Sequence, residues 1–181
     1  MIEKRKYAAA DLQQIAAEPE TIISGAMDDE IRERMERTIE IESPILEPLL
    51  FKRVINSMSL KKVGSRIEPV FRRIAMSLSC QKTDEDGVTV FHNGNDESFF
   101  RTAEESDRYS YQIPLSEAVH CLQYIISGSE RSLTKRELAI RFRDELGYER
   151  MGAQVDNLFI RASASPDIKR YGNGRFIPMK Y

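Results

Sequence analysis

The feature that most constrains the fold of this chain is an internal repeat. Residues 44–71 match residues 132–159 without a gap when the sequence is shifted by 88 positions. Four aligned pairs are identical, namely Leu50/Leu138, Arg53/Arg141, Gly64/Gly152 and Phe71/Phe159, and other pairs share apolar character, among them Ile45/Leu133, Met58/Leu146 and Ile67/Val155. Chance does not place apolar residues, a glycine and an arginine in one register. The repeat therefore predicts two copies of one small module.

The second copy shows the local pattern of the module. Apolar residues recur at helical spacing over residues 116–127, which predicts a first helix. Thr134 followed by Glu137 is a capping box, which predicts the start of a second helix. A third apolar stripe follows Gly152, and the turn residues Tyr171-Gly172-Asn173-Gly174 indicate a tight hairpin after it.

The first copy has the same order. Residues 28–41 and 46–58 carry helical apolar stripes, and Ser65 with Glu68 forms another capping box that predicts a third helix. Asp84-Glu85-Asp86-Gly87 then predicts a hairpin turn. Three helices followed by a two-stranded hairpin is the order of a winged helix, a variant of helix-turn-helix. The predicted fold is therefore mainly α with small β-hairpins, built as tandem winged-helix repeats.

These patterns divide the chain into four parts. Residues 1–27 are predicted to be an N-terminal helical extension, with a helix over residues 6–17. Residues 28–92 form winged-helix-like module A, and residues 114–181 form winged-helix-like module B. An acidic linker over residues 93–113 joins them. Partial packing of this linker is expected, because a mobile linker does not need four aromatic residues, here Phe99, Phe100, Tyr109 and Tyr111.

Charge is segregated along the chain, although the net charge is only −2. Residues 48–82 carry eight basic residues and one acidic residue, whereas residues 83–117 carry two basic and nine acidic residues. Residues 1–47 are net −6, and residues 118–181 are net +4. A basic block attracts phosphate locally, but lysines and arginines on one face of a surface helix are commonly only solvated. The charge pattern therefore permits nucleic-acid binding without requiring it.

Composition argues against several classes of function. No apolar run approaches the roughly 20 residues that cross a bilayer, and the charged N-terminus does not resemble a signal peptide, so we expect a cytoplasmic protein with no membrane partner. Cys80, Cys121, His92 and His120 are the only residues of their types, and their spacing fits neither a metal site nor an activated nucleophile. No GxxxxGK[ST] loop is present. We therefore expect no catalytic residues, no metal, no cofactor and no enzymatic activity.

Three stretches of the chain carry a family resemblance. They are Ile41-Glu42-Ser43-Pro44-Ile45, Leu50-Phe51-Lys52-Arg53-Val54 and Leu60-Lys61-Lys62-Val63-Gly64-Ser65-Arg66-Ile67. They resemble an uncharacterised bacterial domain found near the C-terminal end of large superfamily-one helicases, some of which carry a Vsr-like nuclease and are linked to phage defence. Residues 113–118 and 146–152 are similar to the segment C-terminal to that domain in those helicases. The resemblance implies an accessory nucleic-acid-associated module with a helicase or nuclease subunit as partner, and it carries over no activity.

The winged-helix interpretation selects candidate binding residues, because the third helix of that fold enters the major groove. In module B its outer ridge is Gln154, Asn157 and Arg161, whose side chains suit adenine and guanine edges. In module A the matching ridge is basic and suits phosphate. The predicted nucleic-acid-binding residues lie on the third helix, in the turn before it or in the hairpin after it: Lys61, Lys62, Arg66, Arg73, Arg150, Gln154, Asn157, Arg161, Lys169, Arg170 and Arg175.

Module B is the better candidate for a complete surface. The hairpin of module A is acidic at Asp84, Glu85 and Asp86, and an acidic hairpin repels a duplex. The sequence thus predicts a non-catalytic accessory or regulatory protein that binds nucleic acid, with duplex DNA as the expected ligand. Winged helices also serve purely for protein contacts. A protein–protein adaptor that docks on a helicase or nuclease without touching nucleic acid is therefore the alternative.

Overall fold

The computed structural model describes residues 1–95, 98–170 and 174–176. These residues form a mixed α/β fold with seven α-helices, one two-stranded sheet and one three-stranded sheet. The helices are α1 Pro19–Ile23, α2 Asp28–Glu42, α3 Glu47–Ser57, α4 Glu68–Ser77, α5 Leu115–Ser127, α6 Lys135–Glu145 and α7 Ala153–Ser163. The strands are β1 Glu3–Lys6, β2 Ile45–Leu46, β3 Gln81–Glu85, β4 Val88–His92 and β5 Phe99–Thr102, and a 3-10 helix spans Ser110–Gln112.

The chain folds into two compact units. We name Ala8–Asp96 the central unit, and Met1–Tyr7 together with Glu97–Tyr181 the terminal unit. Each unit has its own cluster of buried apolar side chains. The first seven residues therefore belong to the unit that otherwise contains the C-terminal half of the chain.

The central unit combines α2, α3 and α4 with an antiparallel sheet in the order β2-β4-β3. The short strand between α2 and α3 pairs with the second strand of the hairpin, so that Ile45 lies opposite Phe91. The predicted hairpin is confirmed, with β3 and β4 pairing throughout their length. Phe51 and Phe71 meet edge to face in the core, with ring centroids 5.5 Å apart.

Residues 7–17 contain no helix, so the predicted helix over residues 6–17 is wrong. The backbone of residues 10–15 forms hydrogen bonds to α2 and α3 instead. The Ile15 amide donates to the Ser57 carbonyl oxygen at 2.9 Å, and the Ala10 amide donates to Glu42 Oε1 at 2.8 Å. Arg34 Nη1 donates to the carbonyl oxygen of Gln13 at 2.7 Å. These partners outweigh the helical propensity of the alanines in the segment.

The terminal unit contains α5, α6 and α7 and a parallel pair of strands. Strand β1 pairs with β5, so that Glu3 lies opposite Phe99. Leu133, just before α6, forms an antiparallel bridge with Phe176, and Phe176 forms another with Arg170. Leu133, Phe176 and Arg170 thus pair in the same order as β2, β4 and β3 in the sheet of the central unit. The repeat in the sequence thus corresponds to a repeated arrangement of helices and extended segments.

The predicted linker over residues 93–113 is partly structured. It contributes β5 and the 3-10 helix to the terminal unit, and Phe99 and Phe100 are buried. Tyr109 and Tyr111 are exposed. The expectation that part of this segment packs is therefore confirmed, and the aromatic residues divide between a buried pair and an exposed pair.

The two predicted capping boxes have different outcomes. The box at α6 is confirmed, because the Glu137 amide donates to Thr134 Oγ1 at 3.2 Å and the Thr134 amide donates to Glu137 Oε2 at 2.8 Å. The box at Ser65 is wrong, because α4 begins at Glu68 without a side-chain cap. The Glu68 amide, which such a box requires, donates to the Gly64 carbonyl oxygen at 2.9 Å instead.

Part of the second predicted hairpin, residues 171–173 and 177–178, lies outside the described residues. Within the described ranges, none of the helices is both long and apolar enough to span a bilayer.

Candidate nucleic-acid interface

Helices α4 and α7 occupy equivalent positions in the repeat. The Glu68 amide donates to the Gly64 carbonyl oxygen at 2.9 Å, and the Asp156 amide donates to the Gly152 carbonyl oxygen at 3.0 Å. These two bonds are 88 positions apart in the sequence, which is the offset of the repeat. Both helices also bury their apolar faces, including Phe71 and Phe159. The same backbone hydrogen bond therefore forms at the equivalent place near the start of the last helix of each unit.

Helix α7 buries one face and exposes the other. Leu158 and Phe159 belong to the core of the terminal unit, whereas Gln154 and Asn157 are exposed. Arg161, the third residue of the predicted ridge, is half-buried. Residues three and four positions apart share a helix face, so the two amide side chains form one outward surface. Amide side chains both donate and accept hydrogen bonds, which is the chemistry that reads adenine in a major groove.

Arg150 lies in the turn before α7, close in sequence to this ridge. Its side chain is exposed, and it forms no hydrogen bond or ion pair with any residue that the structure describes. The same holds for Gln154 and Asn157. The Arg150 guanidinium and the side-chain amides of Gln154 and Asn157 are therefore all available to bind a ligand.

Two other predicted cations of the terminal unit form hydrogen bonds within it. Arg170 Nη2 donates to the Ser163 carbonyl oxygen at 2.7 Å, where it satisfies the C-terminal end of α7. Arg175 Nε donates to Ser132 Oγ at 2.9 Å, next to the bridge between Leu133 and Phe176. Both arginines therefore hold the end of the unit together.

Lys169 is exposed. It lines a groove of about 900 Å³ in the terminal unit, together with residues of α5, α6 and the first two positions of the chain. Lys169 therefore lines a groove to which the described residues of α7 do not contribute.

The arginines predicted on α4 are paired within the central unit. Arg66 forms a two-pronged bond with Glu20, with Nη1 to Oε1 at 2.9 Å and Nη2 to Oε2 at 3.0 Å. Arg73 pairs with Asp28 at 2.8 Å, and this pairing raises the pKa of the Arg73 guanidinium. All four side chains remain in contact with solvent. The basic ridge of α4 is thus accompanied by carboxylates from α1 and the start of α2.

Lys61 and Lys62, in the turn before α4, are exposed and have no ion pair among the residues that the structure describes. The hairpin that follows α4 carries Asp84, Glu85 and Asp86, as the sequence predicts. The Gly87 amide donates to Asp84 Oδ1 at 3.0 Å and closes the turn. The central unit therefore presents two lysines on one side of α4 in the sequence and an acidic turn on the other.

A buried ionic cluster in the terminal unit is not predicted from the sequence. The Glu117 carboxylate is 1% exposed and accepts hydrogen bonds from Arg108 Nη1 at 3.0 Å, Arg108 Nη2 at 2.7 Å and Arg101 Nε at 3.1 Å. Burial would raise the pKa of Glu117, but the two guanidinium groups lower it to about 2. The Arg108 guanidinium also lies 4.4 Å from the centroid of the Tyr7 ring. The cluster links β5 and α5, and its Arg108 packs on Tyr7, the residue that follows β1.

The histidines and cysteines have structural surroundings. His120 Nδ1 lies 2.9 Å from the Phe99 carbonyl oxygen, and His92 Nε2 lies 2.9 Å from Thr83 Oγ1. Burial raises the pKa of the Cys121 thiol well above its usual value, which disfavours the reactive thiolate. Within the described ranges, no three His, Cys, Asp or Glu side chains lie together as a metal site would require.

Comparison with known proteins gives one finding. Residues 22–69 match a family described as "Protein of unknown function (DUF3320)". The match begins in α1 and ends at the start of α4, so it covers the first helices of the central unit and supports the resemblance to an uncharacterised domain family. No curated protein and no solved structure matches the chain.

Proposed function

We propose that the protein is a non-catalytic nucleic-acid-binding accessory protein in which each unit is a winged helix. The proposal for the fold rests on the repeated order of elements. In the central unit β2, between α2 and α3, pairs with β4, the second strand after α4. In the terminal unit Leu133, between α5 and α6, pairs with Phe176 in the second extended segment after α7. A helix-turn-helix variant of this order uses its third helix for recognition. The third helices are α4 and α7.

The observation that carries the proposed function is the open surface at the start of α7. Arg150, Gln154 and Asn157 are exposed and unpaired within the described chain. An arginine suits phosphate or guanine, and the amides suit adenine. The first backbone N–H groups of α7 add to this surface, because Gly152 has no side chain to cap them. The N-terminus of a helix favours phosphate. The expected ligand is duplex DNA, whose major groove admits a helix.

The most direct test uses a fluorescent DNA duplex selected for binding from a random pool. Fluorescence anisotropy would give the Kd of the full chain and of Gln154→Ala/Asn157→Ala. We expect the Kd of the variant to be at least about thirtyfold weaker, because two base contacts are lost and each contributes roughly 1–3 kcal/mol. The matched control is Gln14→Ala/Gln81→Ala, which removes two exposed amide side chains of the central unit and should leave the Kd unchanged.

Two results would contradict the proposal. One is equal binding by the α7 variant and the parent chain. The other is failure of the random pool to yield any duplex that binds with salt-dependent affinity, since phosphate contacts release counterions and weaken as salt rises. The second result would favour the adaptor, in which the protein docks on a helicase or nuclease subunit and the α7 surface contacts protein.

A further inference from the structure

The terminal unit exposes a stacked pair of tyrosines. Tyr109 is 55% exposed and Tyr111 is 56% exposed, yet their rings stack with centroids 5.4 Å apart and planes 10° apart. Water does not favour two large aromatic faces on a surface, and exposed aromatic residues of this kind are enriched where proteins contact partners. The pair lies on the short segment between β5 and α5, whose 3-10 helix Ser110–Gln112 packs against α7.

The backbone that carries these rings is held firmly. Arg108, next to Tyr109, is buried in the ion pair with Glu117. Ser110 is buried, and the Gln112 side chain accepts a hydrogen bond from the Tyr109 amide at 2.9 Å. The Gln112 amide in turn donates to the Tyr109 carbonyl oxygen at 2.9 Å. A ligand therefore meets aromatic rings on an ordered backbone, which lowers the entropy lost on binding.

The charge beside the rings selects the class of ligand. Glu104, Glu105 and Asp107 precede the tyrosines and are exposed. Glu105 pairs with Lys6, whereas Asp107 has no ion pair among the described residues. The exposed side chains of residues 103–111 include three carboxylates and no cation, because Arg108 is buried. Such a surface repels the phosphates of a nucleic acid and attracts a cation.

An arginine side chain matches both parts of this surface. Its guanidinium stacks on aromatic faces and pairs with carboxylates, which an ammonium does less well. The same unit already uses this chemistry internally, since Arg108 lies 4.4 Å from the Tyr7 ring centroid and Arg5 lies 4.4 Å from that of Phe99. We propose that Tyr109 and Tyr111, with Asp107 beside them, form a docking surface for an arginine-bearing segment of a partner protein.

The test is an NMR titration of the full chain with an end-blocked peptide of alternating arginine and glycine. A matched peptide has citrulline, which is neutral and nearly isosteric, in place of arginine. We expect the arginine peptide to shift the amide signals of residues 109–111 and to bind about fivefold more tightly than the citrulline peptide. The Tyr109→Leu/Tyr111→Leu variant should bind the arginine peptide about fivefold more weakly or worse, because leucine keeps apolar area but has no π face.

The control variant is Tyr124→Leu, which changes a tyrosine of the groove in the same unit. It should leave the affinity for the arginine peptide unchanged. Circular dichroism would verify that each variant is folded. We expect the fold to persist in the double variant, because Tyr109 and Tyr111 are both exposed. Equal binding of the two peptides, or equal binding by the Tyr109→Leu/Tyr111→Leu variant and the parent, would overturn the proposal. So would oligothymidine that shifts the amide signals of residues 109–111 at lower concentration than the peptide, since the rings would then stack on bases.

The Gln154→Ala/Asn157→Ala variant should bind the peptide normally, which separates this proposal from that for α7.

Discussion

Helices α4 and α7 hold the same place in the repeated plan but present different chemistry to solvent. Each begins with the same backbone bond to a glycine carbonyl oxygen and buries a phenylalanine in its own unit. Arg66 just before α4 and Arg73 on α4 are paired with Glu20 and Asp28. The side chains of Arg150, Gln154 and Asn157 near the start of α7 are unpaired within the described chain. Position in a fold therefore does not by itself assign a binding role. The neighbouring charges decide whether the outer face is open.

The units also differ in how they bury charge. The terminal unit encloses Glu117 between two arginines that are almost fully buried. In the central unit the buried Glu42 carboxylate accepts from the Ala10 amide and from Arg53, which is 25% exposed. A guanidinium that contacts water loses less hydration free energy than a fully buried one, so it depends less on a carboxylate partner. The stability of the terminal unit should therefore depend more strongly on Glu117 than that of the central unit does on Glu42.

The largest expected effect is on stability. Glu117→Gln leaves two buried guanidinium groups without a counter-charge, which should lower the free energy of unfolding by about 3–5 kcal/mol. Glu42→Gln in the central unit should lower it by only about 1–2 kcal/mol, since it weakens hydrogen bonds while Arg53 keeps access to water. Urea unfolding followed by circular dichroism would compare them. Equal losses would contradict the difference between the units.

Acid should weaken the terminal unit through the same residue. The pKa of Glu117 is about 2 when folded, below its ordinary value of 4.5, so its stabilisation is complete above pH 4.5 and is lost as pH falls toward 2. The total loss should be roughly 3 kcal/mol. Hydrogen exchange in α5 as a function of pH would measure it. Glu117→Gln should remove this part of the acid sensitivity, and an unchanged pH profile in the variant would show that another group is responsible.

Next in size is the effect of one positive charge beside each last helix. Arg150→Ala removes an unpaired cation before α7 and should weaken duplex binding about fivefold, with a salt slope smaller by about 1. Arg66→Ala removes a cation that Glu20 already accompanies, so its effect should be less than about twofold. Anisotropy at two salt concentrations measures both. A larger effect for Arg66→Ala would reverse the ranking of the two helices.

The smallest expected effect is a gain. Glu20→Gln/Asp28→Asn releases Arg66 and Arg73, which should strengthen duplex binding by about two- to fivefold. The control Glu33→Gln/Glu36→Gln makes the same change in net charge at exposed positions of α2. If the control gains as much as the test variant, net charge alone accounts for the result and the pairing at α4 has no separate effect.

The sequence predicts the regular elements of the fold well, because their signals are local. Apolar spacing locates the helices of both repeats, and the turn residues at 84–87 locate the first hairpin. The Thr134 capping box forms as predicted. Ser65 forms no such box, because the amide that it needs is bonded to a backbone carbonyl oxygen, which spacing alone does not reveal. The parallel pairing of β1 with β5 joins residues about 96 positions apart and has no local signal.

The candidate site is only partly predictable for the same reason. Helical spacing correctly places Gln154 and Asn157 on the outside of α7. The pattern does not show that Arg66 pairs with Glu20, that Arg170 caps α7 or that Lys169 lines a separate groove. Each of these depends on residues that folding brings together. Arg101 and Arg108 lie within the predicted linker, although they are the buried partners of Glu117.

The difference between the two last helices can be observed directly in solution. Backbone amide signals of the full chain would be recorded during titration with the selected DNA duplex, and the shifts at Gln154 and Asn157 compared with those at Arg66 and Arg73. We predict large shifts at the start of α7 and small shifts on α4. Shifts concentrated on α4, or none on either helix, would contradict the assignment of nucleic-acid binding to the terminal unit.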